Sequence, residues 1–150
     1  GNQTLIKTET GIWSVQYNAE NRPIRWQSGG TVSTMAFDRM GRRVEMCTEK
    51  DGTETLQRFV YANYLCIQQL RGTDNALFHS YVWDPTEPIA TRPLVFIPSG
   101  GEVSYYFHDG NKNVSDLVPA SGAPIHYAYT PFGSVVTTSP VENPFHFSSE

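Results

Sequence analysis

The stretch Ala36-Phe37-Asp38-Arg39-Met40-Gly41-Arg42-Arg43-Val44 returns in altered form along the chain, and that recurrence limits the fold more than any other property of the sequence. An aromatic residue is followed by a short polar one, and four places after the aromatic comes a residue suited to positive φ. Tyr17-Asn18-Ala19-Glu20-Asn21-Arg22-Pro23-Ile24 repeats the pattern with Asn21 in the glycine's place, asparagine being the residue that next best tolerates that conformation. Tyr129-Thr130-Pro131-Phe132-Gly133-Ser134-Val135 restores glycine, and His108-Asp109-Gly110-Asn111-Lys112-Asn113-Val114 places Lys112 there, with its flexible residues earlier. Tyr61-Ala62-Asn63-Tyr64-Leu65 is a weaker copy and Tyr81-Val82-Trp83-Asp84-Pro85 a degenerate one. Tyr17 to Phe37 spans 20 residues, Phe37 to Tyr61 24 and His108 to Tyr129 21. Self-similarity at such a period marks a repeat architecture. A catalytic loop would be unique, so these stretches read as structural turns.

Around each turn apolar and polar residues alternate, as they do in strands with two unlike faces. Trp13, Val15 and Tyr17 enter the first turn and Ile24 and Trp26 leave it; Met35 and Phe37 enter the second and Val44 and Met46 leave it. Ser28-Gly29-Gly30, Asp51-Gly52, Gly72-Thr73-Asp74-Asn75, Ser99-Gly100-Gly101 and Ser121-Gly122 supply the turns at the other ends. With 13% aromatic residues, 12 Gly and 10 Pro, the composition suits short strands and tight turns. The expected fold is all-β: five to six degenerate antiparallel hairpins over residues 1–150, forming a curved sheet or partial shell as a single unit. Asp84 to Pro98, with four prolines, reads as an inserted loop, because proline donates no ladder hydrogen bond. Residues 140–150 read as an irregular tail.

The remaining features narrow the function. A net charge of −4 with 17% charged residues offers no basic field, so nucleic acid is not an expected partner. No apolar run approaches the roughly 18 residues that span a bilayer. Cys47 and Cys66 fit no metal spacing and leave open whether they pair or stay as free, half-buried thiols. His79, His108, His126 and His146 are spaced 29, 18 and 20 residues apart, which follows the repeat and no ligand pattern. The Ser-Gly-Gly stretches lack the lysine and helix of a phosphate loop, and no Gly-x-Ser-x-Gly elbow occurs. The chain opens on Gly1, which reads as a processed or trimmed start.

The turn stretches resemble the RHS, or YD (tyrosine-aspartate), repeats, whose pattern runs tyrosine, aspartate, two variable residues, glycine, a basic or polar residue, then an apolar one. Residues 104–136, beginning Ser104-Tyr105-Tyr106-Phe107-His108-Asp109-Gly110-Asn111, together with Asn143-Pro144-Phe145-His146-Phe147-Ser148-Ser149-Glu150, are similar to the core that closes RHS shells. The likeness covers residues from about 12 to 150, although no copy keeps a literal Tyr-Asp pair. Family shells wind many more repeats around a C-terminal toxin or effector and often release it by aspartyl self-cleavage. Neither effector nor cleavage motif is found in these 150 residues, so the resemblance implies a truncated segment of such a shell.

Asn18, Asn21, Asp38, Gly41, Asp109, Gly110 and Gly133 are therefore expected to set turns, the short polar side chains bonding to backbone two residues on. Trp13, Tyr17, Trp26, Tyr81, Trp83, Tyr105 and Tyr127 form the candidate aromatic binding face, since exposed flat rings stack on sugars while buried ones fill a core. The leading expectation is a non-enzymatic shell segment of a secreted or cell-surface protein, with no cofactor, no metal and no catalytic residue. Its partners would be its own C-terminal effector or other RHS segments. The alternative is an aromatic-faced module binding cell-surface glycan or protein, and a remnant of the self-cleaving core is the weakest reading. Uncapped hairpin arrays expose strand edges, so self-association through the strand around Trp13 to Tyr17 or that around Ile125 to Tyr129 is also expected.

Overall fold

The computed structural model describes residues 1–8, 11–86, 92–131, 133–137 and 143–146. Twelve strands follow one another: β1 (Leu5–Thr8), β2 (Gly11–Tyr17), β3 (Pro23–Ser28), β4 (Thr31–Phe37), β5 (Arg43–Lys50), β6 (Thr53–Ala62), β7 (Leu65–Arg71), β8 (Leu77–Trp83), β9 (Pro93–Pro98), β10 (Ser104–His108), β11 (Val114–Pro119) and β12 (Ile125–His126). Each is hydrogen-bonded to the next in one antiparallel sheet whose order is the order of the chain. No helix occurs among the described residues. The fold is the all-β succession of hairpins that alternation and turn chemistry predict.

Three of the repeat turns share one construction. Asp38 Oδ1 accepts hydrogen bonds from the backbone N–H of Met40 (2.9 Å) and Arg42 (3.0 Å), while Asp38 N donates to Arg42 O and Gly41 N to Asp38 O. Asn18 repeats every bond with Glu20, Asn21 and Arg22, and Asp109 does so with Asn111, Lys112 and Asn113. Thr130 forms a shorter version, its hydroxyl accepting from Ser134 N at 3.1 Å. The residue three places on takes positive φ each time: Asn21 61°, Gly41 83°, Lys112 66° and Gly133 87°. Gly110 sits in the turn without supplying that conformation. A register shift follows, so that the residue before the turn's polar side chain pairs with the one six places on, as in Tyr17 with Pro23, Phe37 with Arg43 and His108 with Val114.

Two expectations need correction. Residues 84–98 are not all loop: Pro93–Pro98 is β9, with Pro93 paired to Trp83 and Pro98 to His79. Its prolines stand at the two ends of the strand, where a missing N–H does least damage. Residues 87–91 lie outside the described residues. The strand around Trp13 is not at the sheet's edge, because β1 pairs along it from Leu5–Ser14 to Thr8–Gly11. Most of the tail expected over 140–150 lies outside the described residues; Asn143–His146 are described below.

By its contacts the chain divides into two compact units, residues 1–64 with 69–77, and residues 65–68 with 78–150. Considered separately, the units repeat one another in register over five strands each. Val15 faces Trp26 and Trp26 faces Ser33 in the first; Tyr81 faces Phe96 and Phe96 faces Ser104 in the second. Met35–Met46 and Phe37–Arg43 correspond to Tyr106–Leu117 and His108–Val114. Tyr61 OH donates to Arg43 O at 2.9 Å and Tyr129 OH to Val114 O at 2.6 Å. Strands β2 to β6 and β8 to β12 are two versions of one five-stranded motif.

Within the first unit, arginines join successive turns. Arg22 donates to Asp38 O at 3.2 Å and lies 5.9 Å from the Phe37 ring centroid. Arg42 chelates Asp38 Oδ2, donates to Asn63 O and lies 5.2 Å from the Tyr61 ring. A Cβ on Gly41 would come 2.8 Å from the Arg22 guanidinium as well as meeting unfavourable φ. Gly41→Val is therefore expected to cost roughly 1–3 kcal/mol, the usual range for a strained backbone site. Gly41→Asn, which tolerates the same φ, should lose clearly less in urea denaturation, and equal losses would refute the conformational explanation.

Acid should also act through these turns. Burial alone would raise the Asp38 carboxyl, but the hydrogen bonds from the Arg42 side chain and from the backbone of Arg42 and Met40 bring it below the ordinary value. The Asn113 side chain, followed by the backbone N–H groups of Asn113 and Asn111, holds Asp109 low against the opposing effect of burial. A carboxylate depressed on folding stabilises the fold above its unfolded value of about 4 and loses that contribution as pH falls through the folded value. Asp38→Asn, a side chain that already builds the first turn, is expected to flatten the fall in stability below about pH 4. An unchanged acid profile in denaturation titrations would show that the turn carboxylate is not a source of that dependence.

Candidate binding face

The aromatic face of the second unit is closed by the chain itself. Phe145 stands edge-on to three rings, with centroids 5.0 Å from Tyr81, 5.3 Å from Trp83 and 6.2 Å from Tyr106. Asn143, 7% exposed, accepts from Tyr106 OH at 2.8 Å and from Phe145 N at 3.1 Å through one oxygen. His146 O accepts from Val114 N at 2.9 Å, and its ring lies edge-on to Tyr127 at 5.1 Å. Beneath this strap Phe96, Leu117 and Val114 are almost wholly buried beside Tyr81, Tyr106 and Tyr127. Burial of each aliphatic or aromatic side chain there contributes about 1.5–3 kcal/mol.

The electrostatics of this face keep its phenols protonated. Burial, then the neighbouring Tyr81 and Tyr127, pushes Tyr106 well above the ordinary tyrosine value. Burial, then Tyr127 and Asp109, pushes Tyr129 up to about 12. Both therefore serve as hydrogen-bond donors, which is the role their contacts show. Burial likewise lowers His146, favouring its neutral ring against Tyr127.

The corresponding face of the first unit is not covered by any described segment. Pro93, Phe96, Tyr106 and Val114 are buried, whereas their register equivalents Pro23, Trp26, Met35 and Arg43 are all half-exposed. Two open clefts result. One, of about 310 Å³, is lined by Thr8, Trp13, Trp26, Ser33 and Met35; the other, of about 370 Å³, by Pro23, Trp26, Met35, Phe37, Arg43 and Tyr61. They share Trp26 and Met35, and Trp13 meets Trp26 edge-on at 6.5 Å and 67°. Arg43 stacks 4.6 Å from the Phe59 ring centroid and meets no carboxylate among the described residues.

The seven candidate aromatics thus part into three environments. Tyr81 and Tyr127 are buried in the second unit's core, and Trp83 packs half-buried against it while donating its indole N–H to Cys66 O at 2.8 Å. Trp13 and Trp26 line the open cleft, and Tyr17, half-buried, donates to Gln3 O at 2.9 Å. Tyr105 faces the other side of its strand, 46% exposed. Sequence reasoning missed Arg43, because simple alternation puts Val44 on the face; the constant spacing of six from Phe37 is the signal that would have found it. His79 stacks on Phe78 at 4.0 Å, His126 contacts Asp116 and His146 covers Tyr127, so the histidines do not converge. Among the described residues no group of three or more His, Cys, Asp or Glu is placed to hold a metal ion. Cys47 and Cys66 are half-buried and are not joined to each other by a disulfide.

The fold and face together define a hairpin-array protein with one aromatic face covered by its own chain and one that no described segment covers. No family model matches the chain, and no curated protein matches it. Among solved structures it is similar to a chain in the crystal structure of TcdB2-TccC3-TEV, with 10% identity and a TM-score of 0.34 over 83% of this chain and 9% of that one. A likeness that low has no bearing on activity.

The strap is expected to be a principal source of stability in the second unit. Phe145→Ala should cost about 3 kcal/mol, as large-to-small changes in packed sites do, and Tyr106→Phe about 1 kcal/mol for the lost hydrogen bond. Equilibrium urea denaturation measures both; a Phe145→Ala loss under about 1 kcal/mol, far below the packed-site range, would mean that the ring does not seal the face.

Proposed function

We propose that the chain is a non-enzymatic segment of an RHS-type shell, which encloses or presents a partner polypeptide in an exported or cell-surface protein. The observation that carries this reading is the contrast between two register-equivalent faces. One is closed by a stretch of the same chain, and the other, with Trp13, Trp26, Met35 and Phe37, is covered by no described segment. The turn pattern and the period of its repeats support the family likeness, and a hairpin array buries its apolar faces only against what lies next to them.

A second reading, glycan binding, is favoured by one patch. Tyr105 and Phe107 are 46% and 53% exposed on the side of the second unit away from its core. Asp116 lies opposite Phe107 and contacts His126, an arrangement of flat rings beside polar groups that suits a sugar.

The coding sequence on both sides of residues 1–150 should continue the hairpin pattern and lead to a segment of different composition. Expressed with those flanks, the product should keep that segment intact under limited proteolysis while exposed linkers are cut. Rapid digestion of the downstream segment would overturn enclosure.

A further inference from the structure

We infer that the cleft over Trp26, Met35 and Arg43 is a receptor for a peptide that carries an aromatic residue with an acidic residue directly after it. The inference rests on the enclosure reading and adds the chemistry of what is held.

The chain contains its own precedent. In the second unit the Asn143-Pro144-Phe145-His146 stretch covers the face, inserting one ring among Tyr81, Trp83 and Tyr106 and accepting a hydrogen bond from Val114 N at His146 O. Strand register equates those four positions with Val15, Tyr17, Met35 and Arg43 of the first unit. The backbone scaffold is the same, down to the tyrosine hydroxyl held by the carbonyl of Val114 in one unit and of Arg43 in the other. A cleft of about 370 Å³ lies on that scaffold where the second unit is sealed, room for one aromatic side chain and adjoining backbone.

The difference between the faces specifies the ligand. Where the sealed face has Val114, 0% exposed, the open one has Arg43. Its guanidinium is fixed over the Phe59 ring at 4.6 Å and has no carboxylate among the described residues, whereas Arg22, Arg42, Arg58 and Arg71 of the same unit each pair with an acid. A fixed, unpaired guanidinium at the wall of an apolar cleft selects a carboxylate, which it can bind through two parallel hydrogen bonds. In the strap the residue beside Val114, the equivalent of Arg43, is His146, directly after the inserted Phe145, so the carboxylate belongs at that place in the peptide.

The test uses the full chain and a fluorescein-labelled peptide, Val-Gln-Asn-Pro-Phe-Glu-Phe-Ser, patterned on residues 141–148 with glutamate in the place of His146 and glutamine in that of Glu142, read by anisotropy. Saturable binding is expected, weakened about tenfold or more by Arg43→Gln, as loss of one partner of a desolvated charge pair implies. Glutamine in place of the peptide's glutamate should weaken binding to the native chain and have little further effect on Arg43→Gln. Tyr106→Phe, in the sealed face, should leave affinity unchanged. Because Arg43→Gln could disturb the fold, Trp26→Phe, which retains a ring, supplies a second cleft variant, and its affinity should also fall.

Absence of saturable binding overturns the proposal. So does binding that Tyr106→Phe weakens while Arg43→Gln does not, which would mean exchange with the strap. Binding of a neutral hexasaccharide with the peptide silent would assign the cleft to glycan instead, and concentration-dependent dimerisation abolished by Arg43→Gln would assign it to a second copy. A silent peptide together with a protected downstream segment would remove the cleft assignment and leave enclosure standing. Peptide binding with the downstream segment digested would do the reverse.

Discussion

One side-chain oxygen in each of three turns, bonded to two backbone N–H groups, is the interaction on which the rest of the structure depends. Asn18, Asp38 and Asp109 each place it identically. The bonds satisfy donors that a tight turn would otherwise leave open. They also hold the positive-φ residue that shifts the strand register on leaving the turn. That shift brings Pro23, Arg43 and Val114 opposite the aromatic or histidine residue that precedes each turn. The sheet's faces are thus decided at the turns, and alternation within strands only carries the decision onward.

Linking one turn to the next is a separate task, and the first unit assigns it to arginine. Exposed ion pairs contribute little because solvent screens them and side-chain entropy opposes them. Arg42 is better placed than such a pair: one guanidinium is shared among the Asp38 carboxylate, the Asn63 carbonyl and the Tyr61 ring. Arg22 makes the analogous reach to the Asp38 carbonyl and the Phe37 ring. Each turn therefore stabilises its successor, the nearest-neighbour coupling by which repeat arrays gain cooperativity.

What was legible in the sequence was whatever acts over a few residues. The turn stretches, the positive-φ places at Asn21, Gly41 and Gly133, and the all-β class all follow from local chemistry. The doubled five-stranded motif was hidden because its two copies drift: Tyr17 and Trp83 are register equivalents, as are Phe37 and His108, yet the separations between equivalents differ. Strand β9 was obscured by prolines that prove to sit at its ends. The seal of Asn143 and Phe145 on Tyr106 joins residues 37 or more places apart in the case of the hydrogen bond, and no local pattern reports such a contact. Arg43 was missed because a bulge puts two residues where alternation allows one.

The two faces also differ in what each could tolerate if their covers were exchanged. Val114 lies under His146 with its backbone N–H bonded to that residue's carbonyl; a guanidinium there would be desolvated beneath an aromatic strap, at a cost of several kcal/mol unless it found an acid. Arg43 bears a smaller cost, because the residue is only half-buried and its guanidinium rests on the Phe59 ring, although its Nε is buried without a hydrogen-bond partner. A valine at the same place would have enlarged an exposed apolar patch already containing Trp26, Met35 and Phe37, the kind of surface that invites indiscriminate association. As the proposed peptide site, the face would penalise apolar segments that bring no acceptor, since such a segment would strand the charge of Arg43. Selectivity in this arrangement comes from what the cleft makes unfavourable as much as from the rings it offers.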